Sequence, residues 1–84
     1  MKTEKIEQGV KEVIAQNSRY TVEEIKITDP IEKFITSYMG DRLARELKRK
    51  FNKIDTTRTT NELYTTLKKV SDIVSYINNY YSTL

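Results

Sequence analysis

Leu63, Leu67, Val70, Val74, Ile77 and Tyr81 follow one another at steps of four and three residues. Nothing else constrains this chain as strongly. Such steps keep side chains on one face of an α-helix, whereas a half-buried strand alternates at every second residue. Two more series have the same period. Ile6, Val10, Val13 and Ile14 form one, and Met39, Leu43, Leu47 and Phe51 form the other at strict intervals of four, ending near Ile54. Three apolar stripes in 84 residues predict an all-α fold, a small three- to four-helix bundle built as a single domain over 1–84. A chain of this length can bury one modest core. The expected core is Val10, Ile14, Leu43, Leu47, Phe51, Leu67, Val70, Val74 and Ile77.

Helices are therefore expected near 4–16, 38–52 and 68–81, with room for a short helix near 30–36 and another near 60–66. Thr3 is the expected N-cap of the first, and Asn17-Ser18-Arg19 its end. Thr21-Val22-Glu23-Glu24 has the spacing of a capping box, and Ile25-Lys26-Ile27 reads as an extended tether with two apolar plugs. Asp29-Pro30-Ile31-Glu32 is the strongest local start signal: a capping residue, then proline, then glutamate three after the cap. A helix is expected from Pro30. Whether it continues through Ser37–Gly40 into the stripe of Leu43, Leu47 and Phe51 is left open. Asp55-Thr56-Thr57-Arg58-Thr59-Thr60 reads as a polar loop, since most of these side chains compete for their own backbone, with Asn61 capping the next helix. The seam from Leu63 to Tyr81 then reads as one long helix, or as a short helix running into a longer one.

The composition excludes several chemistries. There is no Cys and no His, so thiolate catalysis, thiolate metal sites and the commonest general base are absent. Nothing resembles a Gly-rich phosphate loop or a catalytic triad. Glu23, Glu24 and the scattered aspartates have no metal-ligand spacing. The chain is expected not to be an enzyme. No apolar run approaches the roughly 20 residues that span a bilayer, and Met1-Lys2-Thr3-Glu4 carries no apolar stretch of a secretory kind. A cytoplasmic location is the resulting expectation.

The net charge of +3 is unevenly placed. Residues 37–54 hold six Lys/Arg against two Asp/Glu, whereas residues 1–36 and 55–84 together come to −1. The excess is thus one segment, Arg42, Arg45, Lys48, Arg49, Lys50 and Lys53. It could bind an acidic protein face, nucleic acid or an anionic membrane, or be a solvated helix face. No aromatic residues interleave with these cations, which argues against base stacking. Tyr20, Tyr38, Tyr64, Tyr76, Tyr80 and Tyr81 could line a binding surface. The simpler expectation is that they cover the edge of the core with their hydroxyls in water.

The order of stripes resembles the acyl carrier proteins and the related peptidyl carrier domains over most of the chain. Ile6, Val10, Val13 and Ile14 look like that family's first helix, and Val22-Glu23-Glu24-Ile25 is similar to the turn after it. Leu43, Leu47, Phe51 and Ile54 match its second helix, and Leu67, Val70, Val74 and Tyr76-Ile77-Asn78 its last. Counting back from Phe51 by the family's spacing lands on Ser37. The resemblance implies a bundle of acyl-carrier-protein type. It also implies a covalent 4′-phosphopantetheine cofactor on Ser37, holding an acyl or peptidyl intermediate as a thioester in fatty acid or polyketide biosynthesis. The implied partners are a phosphopantetheinyl transferase and acyl-processing enzymes, docked on Arg42, Arg45 and Arg49. Several features of this chain differ from the family pattern. Thr36 stands where an aspartate usually precedes the serine, Gly40 follows the serine where a glycine usually precedes it, and Tyr38 replaces a smaller aliphatic residue. Asp41 replaces a buried valine, the second helix is basic rather than acidic, and the loop between the second and last helices is longer. The alternative is a helical adaptor without a prosthetic group that binds an acidic partner through the same basic helix. In that case Ser37 is an ordinary helix serine or a local cap.

Overall fold

A computed structural model describes residues 2–36 and 39–81. Among these the chain is all-α. Four α-helices, α1 (Thr3–Gln16), α2 (Gly40–Lys50), α3 (Thr56–Thr65) and α4 (Val70–Tyr81), form a compact bundle. Two single 3-10 turns, Val22–Glu24 and Ile31–Lys33, interrupt the long connection between α1 and α2. The helix α1 packs on α4, and α2 packs on α3 and α1. The three expected long helices are present, and both expected short ones differ in form.

The stripes become the core. Ile6, Val10, Val13 and Ile14 of α1 face Leu43, Leu47 and Phe51 and the inner side of α4. All nine expected core residues are buried in one cluster. Ile25, Ile31, Ile35, Ile54, Ile73 and Tyr76 join them. Ile25 plugs the core from the tether as its alternation suggested, and Ile27 packs half-buried at its edge.

Thr3 is not a cap. It is the first helical residue, with Lys2 at the N-cap position and no side-chain hydrogen bond there. At the other end Asn17 closes α1, its Nδ2 donating to the Val13 carbonyl at 2.8 Å. In the following turn the Thr21 N–H donates to Glu24 Oε1 at 2.9 Å, one arm of the expected capping box.

The helix expected from Pro30 shrinks to one 3-10 turn. The Asp29 carboxylate accepts from the Lys26 N–H at 3.0 Å and so closes the loop before it instead of capping a helix after it. Pro30 is extended, with ψ at 143°. The cause is tertiary. Ile31 N–H donates to the Lys68 carbonyl (2.8 Å), Val70 N–H to Asp29 (3.0 Å) and Ser71 N–H to Ile27 (2.8 Å). These three bonds stitch the α1–α2 connection to the α3–α4 connection, with Pro30 and Lys69 paired as an isolated antiparallel bridge. Backbone groups committed across the molecule no longer lie in a helical path.

The polar run from Asp55 is helix, not loop. Asp55 caps α3 by accepting from the Arg58 N–H at 3.1 Å. Thr59 and Thr60 donate their hydroxyls back to the carbonyls of Asp55 (2.7 Å) and Thr56 (2.9 Å), which satisfies them inside the helix. Asn61 lies mid-helix and caps nothing. The seam from Leu63 to Tyr81 breaks between Thr65 and Val70. Leu67 N–H reaches back to Glu62, and Asp72 accepts from the N–H groups of Lys68 and Lys69 at 3.1 and 3.0 Å, starting α4 afresh.

Candidate functional site

Ser37 lies outside the described residues, as does Tyr38. The residues flanking them define the setting. Phe34, Ile35 and Thr36 are not helical, Thr36 is exposed, and α2 begins at Gly40, three residues after Ser37. Helix therefore does not run unbroken from Pro30 to Phe51. Met39 N–H donates to the Thr36 carbonyl at 3.0 Å.

Beside Thr36 a cavity of about 300 Å³ opens between the 3-10 turn at Ile31–Lys33, α2 and α3. Its floor is made of buried Ile31, Ile35, Leu43 and Leu67 with half-buried Leu63. Exposed residues form the rim: Thr36 and Tyr64, with Lys68 and Lys69 opposed by Glu32. Sequence reasoning missed this cavity. It is assembled from three segments, and the backbone bonds that hold Ile31 against Lys68 have no counterpart in any local pattern.

The basic segment divides by structure. Arg42 and Arg45 are exposed and have no ion-pair partner among the described residues. Arg49 is exposed and pairs with Glu46 at 3.8 Å. The other three cations are engaged in the fold. Lys48 Nζ donates to the carbonyls of Asn52 (2.7 Å) and Ile54 (2.6 Å), collecting acceptors beyond the end of α2. Lys50 pairs with Glu12 of α1 and holds its carboxyl below the usual carboxylate range through that hydrogen bond. Lys53 Nζ stands 5.1 Å from the Tyr81 ring centroid. The expected docking residues are thus exposed positions of one helix, and the charge available on it is smaller than the residue count suggests.

The tyrosines do not all behave as edge covers. Tyr76 is buried, and its hydroxyl bonds to Thr59 Oγ1 (2.9 Å) and to the Tyr80 hydroxyl (3.1 Å). Burial pushes the Tyr76 phenol up to about 12. Tyr20 packs edge-on to Phe34 at 4.9 Å, and Tyr81 edge-on to Phe51 at 6.3 Å. Tyr64 alone among the described large apolar side chains is exposed, at 46%.

Among the described residues no acidic cluster could hold a metal ion, and no helix is long and apolar enough to cross a membrane. The fold and cavity define a small four-helix bundle with an apolar pocket beside a helix start. No protein-family model, curated protein or solved structure matches the chain.

Proposed function

We propose that this chain is a carrier protein that holds an acyl group as a thioester on a 4′-phosphopantetheine arm at Ser37. The observation that supports it best is the apolar cavity of about 300 Å³ whose rim includes Thr36, the residue next to Ser37 in the chain. An acyl carrier needs an attachment point next to a place that shelters an apolar chain from water. Burial of that chain is favoured by about 0.8 kcal/mol per methylene. A cavity of this size stands at the lower end of the range for small-molecule sites. Ser37 also precedes the first turn of α2, where the helix dipole favours a phosphodiester. Partner enzymes do the chemistry in this reading, and the bundle supplies position and protection.

Arg42 and Arg45, exposed and free of ion pairs among the described residues, are the docking cations, with Arg49 beside them as a partly neutralised third. The same two arginines support the second reading, an adaptor without a prosthetic group that binds an acidic partner. One experiment separates the two. The protein and its Ser37→Ala variant are incubated with a broad-specificity phosphopantetheinyl transferase, coenzyme A and magnesium, and intact masses are recorded. In the transfer the Ser37 oxygen bonds to the phosphorus carrying the pantetheine, the pyrophosphate linkage breaks, and adenosine 3′,5′-bisphosphate leaves with the serine proton lost to solvent. The expected result is a slow gain of one phosphopantetheine on wild type only, slow because Thr36 offers no acidic neighbour to the transferase. No adduct under forcing conditions rejects the carrier reading in favour of the adaptor.

A further inference from the structure

Tyr64 and Gly40 meet at one side of the cavity. A β-carbon built on Gly40 would lie 3.1 Å from Tyr64 Cζ, 3.2 Å from Cε2 and 3.3 Å from the hydroxyl oxygen. The phenol thus rests against the bare backbone of the first turn of α2, and both residues line the cavity. Leu43, Leu63 and Leu67 close the space from below. Tyr64 is 46% exposed, so its burial contributes little to the core. An exposed aromatic ring in the wall of an apolar cavity acts on what enters that cavity more than on how the bundle folds.

We propose that Tyr64 sets the length of the aliphatic chain the cavity accepts, by walling it off on the side of Gly40. The occupant is a linear acyl group with a polar head. The floor is aliphatic, and the rim carries Lys68, Lys69 and Glu32, which suits a polar head. In the test below the carboxylate of a free fatty acid stands in for the thioester carbonyl. This inference rests on reading the cavity as the seat of the carried group. It can be tested without the covalent arm.

The unmodified protein is titrated with hexanoate and with decanoate, and binding is followed by the NMR shifts of the cavity-lining methyl groups of Ile31, Ile35 and Leu67. Wild type should gain little from the four extra methylenes of decanoate, because the wall leaves them in water. Tyr64→Ala should bind decanoate about tenfold more tightly than wild type does, the equivalent of roughly two more methylenes buried. Hexanoate should change less than about threefold. Tyr64→Phe keeps the ring and should behave as wild type. Matching melting curves for the three proteins exclude a folding effect.

The proposal is overturned if Tyr64→Ala shows the same dependence on chain length as wild type, or if neither acid shifts the lining methyls of any variant. An adduct on Ser37 combined with unchanged chain-length dependence removes the role of Tyr64 and leaves the carrier reading standing. Methyl shifts that follow the expected pattern without any adduct remove the carrier reading and uphold the role of Tyr64.

Discussion

Gly9 of α1 and Phe51, the residue that ends α2, approach so closely that a β-carbon on Gly9 would lie 2.5 Å from Phe51 Cζ. A glycine in the middle of a helix ordinarily costs about 1 kcal/mol relative to alanine. Here it lets the ring of Phe51 enter the space between α1, α2 and α4, where it meets Tyr81 edge-on. Gly9→Ala should therefore destabilise by about 1 kcal/mol net, since overpacking a core costs roughly 1–3 kcal/mol and outweighs the helical gain. Gly40→Ala provides the contrast. Its new methyl would meet the Tyr64 ring at 3.1 Å, and a shift of a few tenths of an ångström by this half-exposed side chain relieves the contact. Urea unfolding of the two variants should show a loss for the first and none for the second.

Removing the large core side chains should be costly. Phe51→Ala and Leu47→Ala each delete a side chain with 2% exposure or less in the single cluster. Each should cost about 3 kcal/mol, within the range for such truncations. A small domain holds only about 5–15 kcal/mol in total, so the double variant should lose much of its stability and melt far below wild type, as circular dichroism would reveal. A loss below about 1 kcal/mol at both sites would mean that these two residues do not anchor the core.

Tyr76 should make the fold sensitive to alkali. Its phenol titrates at about 12 in the folded chain against an ordinary value of 10.0. The folded state therefore holds the proton longer than the unfolded state does. The stabilisation is complete below pH 10 and is lost as the pH rises through 12. Tyr76→Phe should remove this part of the alkaline loss while costing about 1 kcal/mol at neutral pH, because the buried hydroxyl bond to Thr59 disappears. Denaturation midpoints of the two proteins, measured from pH 8 to 12, should draw together as the pH rises above 10 and then cross.

Lys48 and the arginines should separate into structural and docking roles. Lys48→Met removes the cation that binds the carbonyls of Asn52 and Ile54, and should cost about 1 kcal/mol of stability. Reversing Arg42 and Arg45 to Glu should leave the melting temperature nearly unchanged, as is usual for exposed positions, while weakening binding to an acidic partner. That binding should also fall with added salt. Affinity unaffected by both the reversal and salt would make these arginines a solvated face only.

The long stripes were legible because each is a helix burying one face, and the period of such a face is set by covalent geometry. Ile6 to Ile14, Leu43 to Phe51 and Val70 to Ile77 all lie in the core where their spacing put them. Local signals did worse wherever backbone groups bonded at a distance. Asp29-Pro30 has every residue of a helix start, yet its neighbours' carbonyls and N–H groups are taken by Lys68, Val70 and Ser71. Asp55–Thr60 has the composition of a loop, yet α3 forms there. Asp55 supplies the cap, and Thr59 is buried between its own helix and Tyr76.

The candidate site shows the same division. Ser37 and the basic run could be singled out from spacing and charge alone, since both are properties of the linear chain. Three things required the folded molecule. Lys48, Lys50 and Lys53 are engaged by groups that α1, α4 and the end of α2 bring to them. Tyr76 is a buried hydrogen-bonded group because α3 places Thr59 over it. The cavity beside Thr36 exists because three backbone hydrogen bonds hold Ile31 against the α3–α4 connection, opposite Leu43 and under Tyr64. A helical period fixes which residues turn inward. The space left between helices depends on which segments pair across the molecule, and that pairing involves main-chain groups that every residue type except proline carries alike.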